Sequence, residues 1–204
     1  IIVDDTINTT FRSAAIRANE LVLEDDSHII IDPVNNNIVL ATPINVLDGS
    51  GDLLGKITIN PDAANTVIFN DVIGVVDERV KKIKITDGLG AVTFKEDVFA
   101  KKIRVGAANV IFEKAVNLVN STLALGHADK QGSLKFTGDG TVSLSADTFA
   151  GDISTKTNNE GILIYTNLAK VLGVPTKVLG ARIVTGLTNL KGVHFSKAGS
   201  KIQL

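Results

Sequence analysis

The 204-residue chain has no cysteine, no methionine, no tryptophan, one tyrosine and four prolines. Without cysteine there can be no disulfide, no thiolate nucleophile and no Cys-ligated zinc or iron–sulfur site. The absence does not fix a compartment, because a disulfide-free chain suits the cytosol and also export through a bacterial envelope, where it can stay unfolded for passage. With one tyrosine and no tryptophan, a sugar-stacking platform of the kind carbohydrate-cleaving enzymes use has little to be built from. No run approaches the roughly 18 to 20 apolar residues of a membrane helix. No basic start followed by an apolar stretch marks a signal peptide. The expectation is a soluble segment with no direct membrane insertion of its own. Having no Met and Ile1 at its start, the chain reads as a processed or excised piece of a longer protein.

Charge is also scarce in one sense: the formal net value is -1, so the whole-chain balance offers no footprint for nucleic acid or an anionic membrane. What is present is aliphatic. Hydrophobic residues make up 44% of the chain, and mean hydropathy is +0.24, which argues against disorder. Ile, Val, Leu and Ala supply nearly all of this, and β-branched residues with Thr and Asn favour strands and turns.

Alternation of apolar and polar residues recurs along the chain, in short runs bounded by Asn, Asp, Gly or Pro. Expected strands are Leu21–Leu23, Ile29–Ile31, Asn37–Ala41, Lys56–Ile59, Thr66–Phe69, Lys82–Ile85, Ala91–Phe94, Lys102–Val105 and Asn109–Phe112. Thr122–Leu125, Leu134–Phe136, Val142–Leu144, Ile162–Tyr165, Arg182–Val184, Val193–Phe195 and Lys201–Leu204 follow. One phrase repeats: NTVIFNDV at 65–72, GAVTFKEDV at 90–98, ANVIFEKAV at 108–116, GSLKFTGDGTV at 132–142 and GVHFSKAGSKI at 192–202. Its Phe falls at 69, 94, 112, 136 and 195, with successive gaps of 25, 18 and 24 residues before a long break. These gaps are close to the roughly 20 to 30 residues of a solenoid turn.

The fold expected is all-β, a parallel β-helix (β-solenoid) with one or two short helices, and a β-sandwich is the alternative. One helix is expected at Asn167–Leu172, capped by Thr166 or Asn167 and stopped by Gly173 and Pro175. A second is expected near Thr10–Asn19, where Phe11, Ala14, Ala15 and Ala18 share a helical face. No linker stands out, so 1–204 reads as a single domain, with 1–20 a cap and 150–190 an irregular insertion.

At these phrases the chain resembles the passenger regions of rickettsial autotransporters, the outer membrane protein A and B or surface cell antigen group. The stretches VGAANVIFEKAVNLVNSTLALG at 105–126 and GSLKFTGDGTVSL at 132–144 carry the resemblance best. The stretch 28–74, beginning HIIIDPVNNNIVL, looks similar. The resemblance implies a passenger displayed on the bacterial cell surface or released outside it, exported through a C-terminal β-barrel outside this sequence. It also implies a role in virulence as an adhesin or surface antigen, binding host cells or forming a surface layer without catalysis. It brings no catalytic residue and no cofactor.

The residues themselves offer little chemistry. His28, His127 and His194 lie far apart with no local ligand spacing. Gly49-Ser50-Gly51 and Gly199-Ser200-Lys201 do not match a nucleophile elbow. Gly55-Lys56 lacks both ends of a phosphate loop, with Ser50 and Ile57 where Gly and Ser or Thr are needed. Acidic clusters at Asp4-Asp5, Glu24-Asp25-Asp26, Asp77-Glu78 and Glu96-Asp97 could serve glycoside hydrolysis only if the fold converged them. That keeps a β-helical lyase or hydrolase as the alternative function, alongside a viral fibre segment. Gly138-Asp139-Gly140 resembles a single piece of the calcium-binding nonapeptide, which must recur to form sites. No metal or cofactor is expected.

Basic residues do cluster. Arg79, Lys81, Lys82 and Lys84, then Lys101, Lys102 and Arg104, occupy similar places after successive Phe phrases. Stacked, they would form a stripe able to meet an acidic glycan or an acidic surface protein of a host cell. The plainer role is an outward strand face kept charged for solubility. Open strand edges at the ends of a stack would allow self-association.

Overall fold

In a computed structural model, the structure describes residues 1–4, 7–12, 14–34, 37–46, 54–62, 64–76, 78–118, 133–144, 149–156, 161–165, 181–183 and 192–195. Among them the chain is all-β, with twenty-one strands and no helix. All paired strands run parallel.

The strands fall into three rows. The first holds β1 (Ile2–Val3), β4 (Leu21–Leu23), β7 (Ile44–Val46), β12 (Val98–Phe99) and β15 (Val116–Asn117). Single bridges from Ile44 to Ile73 and from Ile73 to Val98 join β7 to β12. The second holds β2 (Asn8–Phe11), β5 (His28–Ile31), β8 (Leu54–Ile59), β10 (Val80–Ile85), β13 (Lys102–Val105) and β16 (Ser133–Phe136). The long β18 (Phe149–Thr155) pairs with β15 through its start and with β16 through its end, and β20 (Ala181–Ile183) pairs with β18 in turn. The third row is β3 (Ala15–Ile16), β6 (Ile38–Leu40), β9 (Thr66–Phe69), β11 (Ala91–Phe94), β14 (Asn109–Phe112), β17 (Thr141–Leu144), β19 (Ile162–Tyr165) and β21 (Gly192–Phe195). Parallel strands need long crossovers, usually helices; here the connection between neighbours in one row passes through strands of the others.

Alternation decides the faces. In β8 and β11 every second residue is buried, and the residues between are half-buried. In-register pairing then lines like residues up. Ile29, Ile57, Ile83, Ile103 and Leu134 form one fully buried column, and Ile38, Val67, Val92, Val110, Val142 and Leu163 form another. Each such side chain contributes about 1.5 to 3 kcal/mol on burial. In the third row Phe69, Phe94 and Phe112 stack with ring centroids 4.8 Å apart and planes within 10°. That spacing equals the separation of neighbouring strands, so the strand register itself produces the ring stack.

The ladder beyond Phe112 differs from the sequence expectation. Phe112 pairs with Leu144, and Phe136 lies in the second row opposite Val105. The 132–142 phrase therefore mimics the repeat from another row. The third row continues through Leu144, Tyr165 and Phe195, so the long gap between Phe136 and Phe195 contains two further strands of that row. Strands β19 and β20, and β18 from its second residue, fall inside 150–190 and pair into the same rows.

The helix expected near Thr10–Asn19 does not form. Its backbone groups are taken by the next strand: Val39 N donates to Ala14 O at 3.0 Å and Ala41 N to Ile16 O at 3.1 Å. Ala18 N donates to Thr42 Oγ1 at 2.8 Å. Pairing along β5 and β6 offers more than one short, Ala-rich turn of helix can supply by itself. Asn167–Leu172, Thr122–Leu125 and Lys201–Leu204 lie outside the described residues.

Candidate cationic face

The outward side chains of the second row form two adjoining columns. The first runs Asn8, His28, Lys56 and Lys82, with Lys102 next in register because Ile103 pairs with Ile83. The second runs Thr10, Ile30, Thr58, Lys84, Arg104 and Lys135. Six cations thus sit on four consecutive strands: Lys56, Lys82, Lys84, Lys102, Arg104 and Lys135. Neither column contains a carboxylate from β5 to β16. Adjacent strands are about 4.8 Å apart and alternate residues about 6.6 Å apart along a strand, so the charges cover a flat strip about 14 Å long.

Their mutual repulsion is visible in Lys82. Burial, then Arg104, Lys84, Lys56 and Lys102, hold its amine below the ordinary lysine range. A cluster of like charges maintained on a folded surface favours any ligand that supplies the missing counter-charge.

Four of the seven residues expected from sequence, Lys82, Lys84, Lys102 and Arg104, are brought together here. Lys101 lies half-buried one residue ahead of β13, at its corner. Lys81 is exposed beside Lys82 because Val80 and Ile83 both point inward, and its Nζ lies 2.8 Å from Asp26 Oδ1. Arg79 does not belong to the face. It is 3% exposed, and its Nη1 donates to Leu118 O at 2.7 Å. Its burial and this bond make it a structural cation. Arg79→Met should lower stability by about 1 to 3 kcal/mol, the cost of leaving a buried carbonyl unpaired. Polyanion binding should not change, and urea unfolding with a binding titration reads both.

Lys56 and Lys135 were not singled out by the clusters. For Lys56 the signal was a second repeated phrase, Lys56-Ile57-Thr58-Ile59, Lys82-Ile83-Lys84-Ile85 and Lys102-Ile103-Arg104-Val105; Lys135 enters only through its pairing with Arg104. A turn sets Lys56 in place. Gly55 has φ +62°, and its N donates to Asp25 O at 2.7 Å. A Cβ there would meet Leu23 Cβ at 2.6 Å. The turn brings Asp26 Oδ1 to 3.1 Å from Lys56 Nζ, so one carboxylate bridges Lys56 and Lys81. Hydrogen bonds from Lys81, then Lys56, hold Asp26 below the ordinary carboxylate range. In the Glu24-Asp25-Asp26 cluster, Asp26 is thus committed to ammonium groups.

His28 closes the first column. Its Nδ1 lies 2.9 Å from Asn8 Oδ1 and its Nε2 2.8 Å from Thr58 Oγ1. A neutral ring donating from Nδ1 and accepting at Nε2 satisfies both. Burial, then Lys56, Lys82 and Lys84, push its pKa down. The unfolded chain takes up this proton near about pH 6.5, the folded chain only at lower pH. Stability from this site is therefore complete above that value and is lost as pH falls below it, through the folded pKa. Between about pH 7 and 5, the unfolding midpoint of the wild type should fall further than that of His28→Gln; parallel curves would remove His28 as the cause.

The structure places β21, with His194, at the end of the third row and β5, with His28, in the second; His127 lies outside the described residues. Among the described residues, no three His, Asp or Glu side chains come together as a metal site. No family model, curated protein or solved structure matches the chain.

Proposed function

We propose that the chain is a stacked-coil segment, a parallel β-helix, of an exported surface protein, acting in adhesion to host cells or in a surface layer through its flat faces. The observation that carries this reading is the three-row pairing, in which each row adds strands in parallel and in chain order. Such a stack is a rigid rod whose length grows with each added turn and whose outward columns repeat at strand spacing. Function then resides in the residues of a face.

The resemblance of 105–126 and 132–144 to rickettsial autotransporter passengers supports display outside the cell. The cationic strip of the second row supports adhesion over a purely mechanical role, because six clustered like charges destabilise the free protein. The test is binding of the purified chain to cultured host cells at rising salt. Saturable binding that weakens with salt supports an adhesive segment. No binding at high micromolar concentration would contradict adhesion and leave the surface-layer role.

A further inference from the structure

We infer that the cationic strip takes one extended sulfated glycan chain, laid across β8, β10, β13 and β16 along the stacking direction. The inference deepens the adhesion reading, and it rests on that reading for the stacking of the strands.

The geometry points to a long, thin ligand. Lys56, Lys82 and Lys102 form one line of charges and Lys84, Arg104 and Lys135 the other, so a chain between the lines meets a cation at every strand. The side chains stand on a flat sheet face. A compact anion would touch two or three of the six, whereas a linear polyanion can engage them all. The lines are about 6.6 Å apart, close to the width of a single polysaccharide chain and far narrower than a nucleic-acid duplex. Single-stranded nucleic acid is held by base stacking on aromatic rings, and on the four cation-bearing strands neither column carries one: beside the six cations they hold only Thr58 and Ser133. Five of the six cations are lysines, point charges suited to flexible sulfate and carboxylate groups.

The strip has ends. On one side lie His28 and Ile30, on the other the strand carrying Asp152 and Ser154. Four strands of charge therefore set a ligand length of about 14 Å, beyond which further sugar units gain nothing. Asp26 already occupies Lys56 and Lys81, so it competes with the ligand at one end.

The test is calorimetric titration with heparin oligosaccharides of graded length, with inorganic sulfate and single-stranded DNA of equal charge as comparison probes. Affinity should rise with length and level off once the chain spans the strip. It should fall about tenfold or more between low and moderate salt. Asp26→Asn should bind two- to fivefold more tightly, with an unchanged melting curve showing that the fold is intact. Equal affinity for all lengths, binding of DNA as tight as the glycan, or no gain from Asp26→Asn would each overturn the inference. Cell binding without oligosaccharide binding would overturn it and leave adhesion standing. Oligosaccharide binding without cell binding would support it and contradict adhesion.

Discussion

Phe94→Ala is expected to remove about 3 to 5 kcal/mol of the protein's stability. Phe94 is 1% exposed and stacks on two rings at once, Phe69 and Phe112, each 4.8 Å away. Truncating a buried Phe costs about 3 to 5 kcal/mol, and the loss of two ring contacts places Phe94 toward the upper end. Domain stabilities are about 5 to 15 kcal/mol, so the loss is a large share of the total. The cavity would open in the middle of the ladder, where neighbouring strands on both sides hold the register of β11. Phe94→Leu should cost much less, since Leu144 fills the equivalent position one strand beyond Phe112. Urea unfolding of the two variants checks this. An unchanged midpoint for Phe94→Ala would show that the ring stack does not hold the row together.

The double variant Lys82→Glu with Arg104→Glu should abolish polyanion binding while leaving the fold at least as stable. Each reversal converts an attraction of about 1 kcal/mol in water at close range into a repulsion of similar size. Two reversals therefore predict a loss of about a hundredfold or more. Stability should rise slightly, because carboxylates at 82 and 104 would lie beside Lys56, Lys84, Lys102 and Lys135 in place of two further cations. Opposite movements of affinity and melting temperature distinguish a ligand-binding face from a merely solvated one. Unchanged affinity would show that the strip is surface charge without a ligand.

Much of the row structure was legible because its strands are long enough to alternate. Lys56–Ile59, Lys82–Ile85, Lys102–Val105 and the Phe69, Phe94 and Phe112 phrases all fall where expected. The first row was mostly hidden. Val98–Phe99 and Val116–Asn117 are two-residue strands, too short to show a period, and Ile73 joins its row through single bridges. Phe136 misled for a different reason: buried positions of the second and third rows both demand a large apolar residue, so its phrase fits either row. Only the pairing of Val105 with Phe136 separates them. The helix expected around Ala14, Ala15 and Ala18 failed because propensity was outweighed by backbone partners on β6, invisible to local spacing. At the site, clusters of adjacent charges drew attention to Arg79 and Lys101. Membership depends instead on register: Lys56 and Lys135 pair into the outward columns, whereas Arg79 precedes β10 and is buried.

The absence of native cysteine gives a direct test of the stacking order, because any disulfide must come from engineered residues. Ile111 and Ser143 are register partners on the outward side of β14 and β17. Partners on neighbouring strands lie about 4.8 Å apart, within the span a disulfide bridges. Ile111→Cys with Ser143→Cys should oxidise readily in the folded protein, and Ile111→Cys with Lys135→Cys should stay reduced. The reverse outcome would place the Phe136 phrase on top of Phe112 and contradict the three-row order on which the cationic face depends.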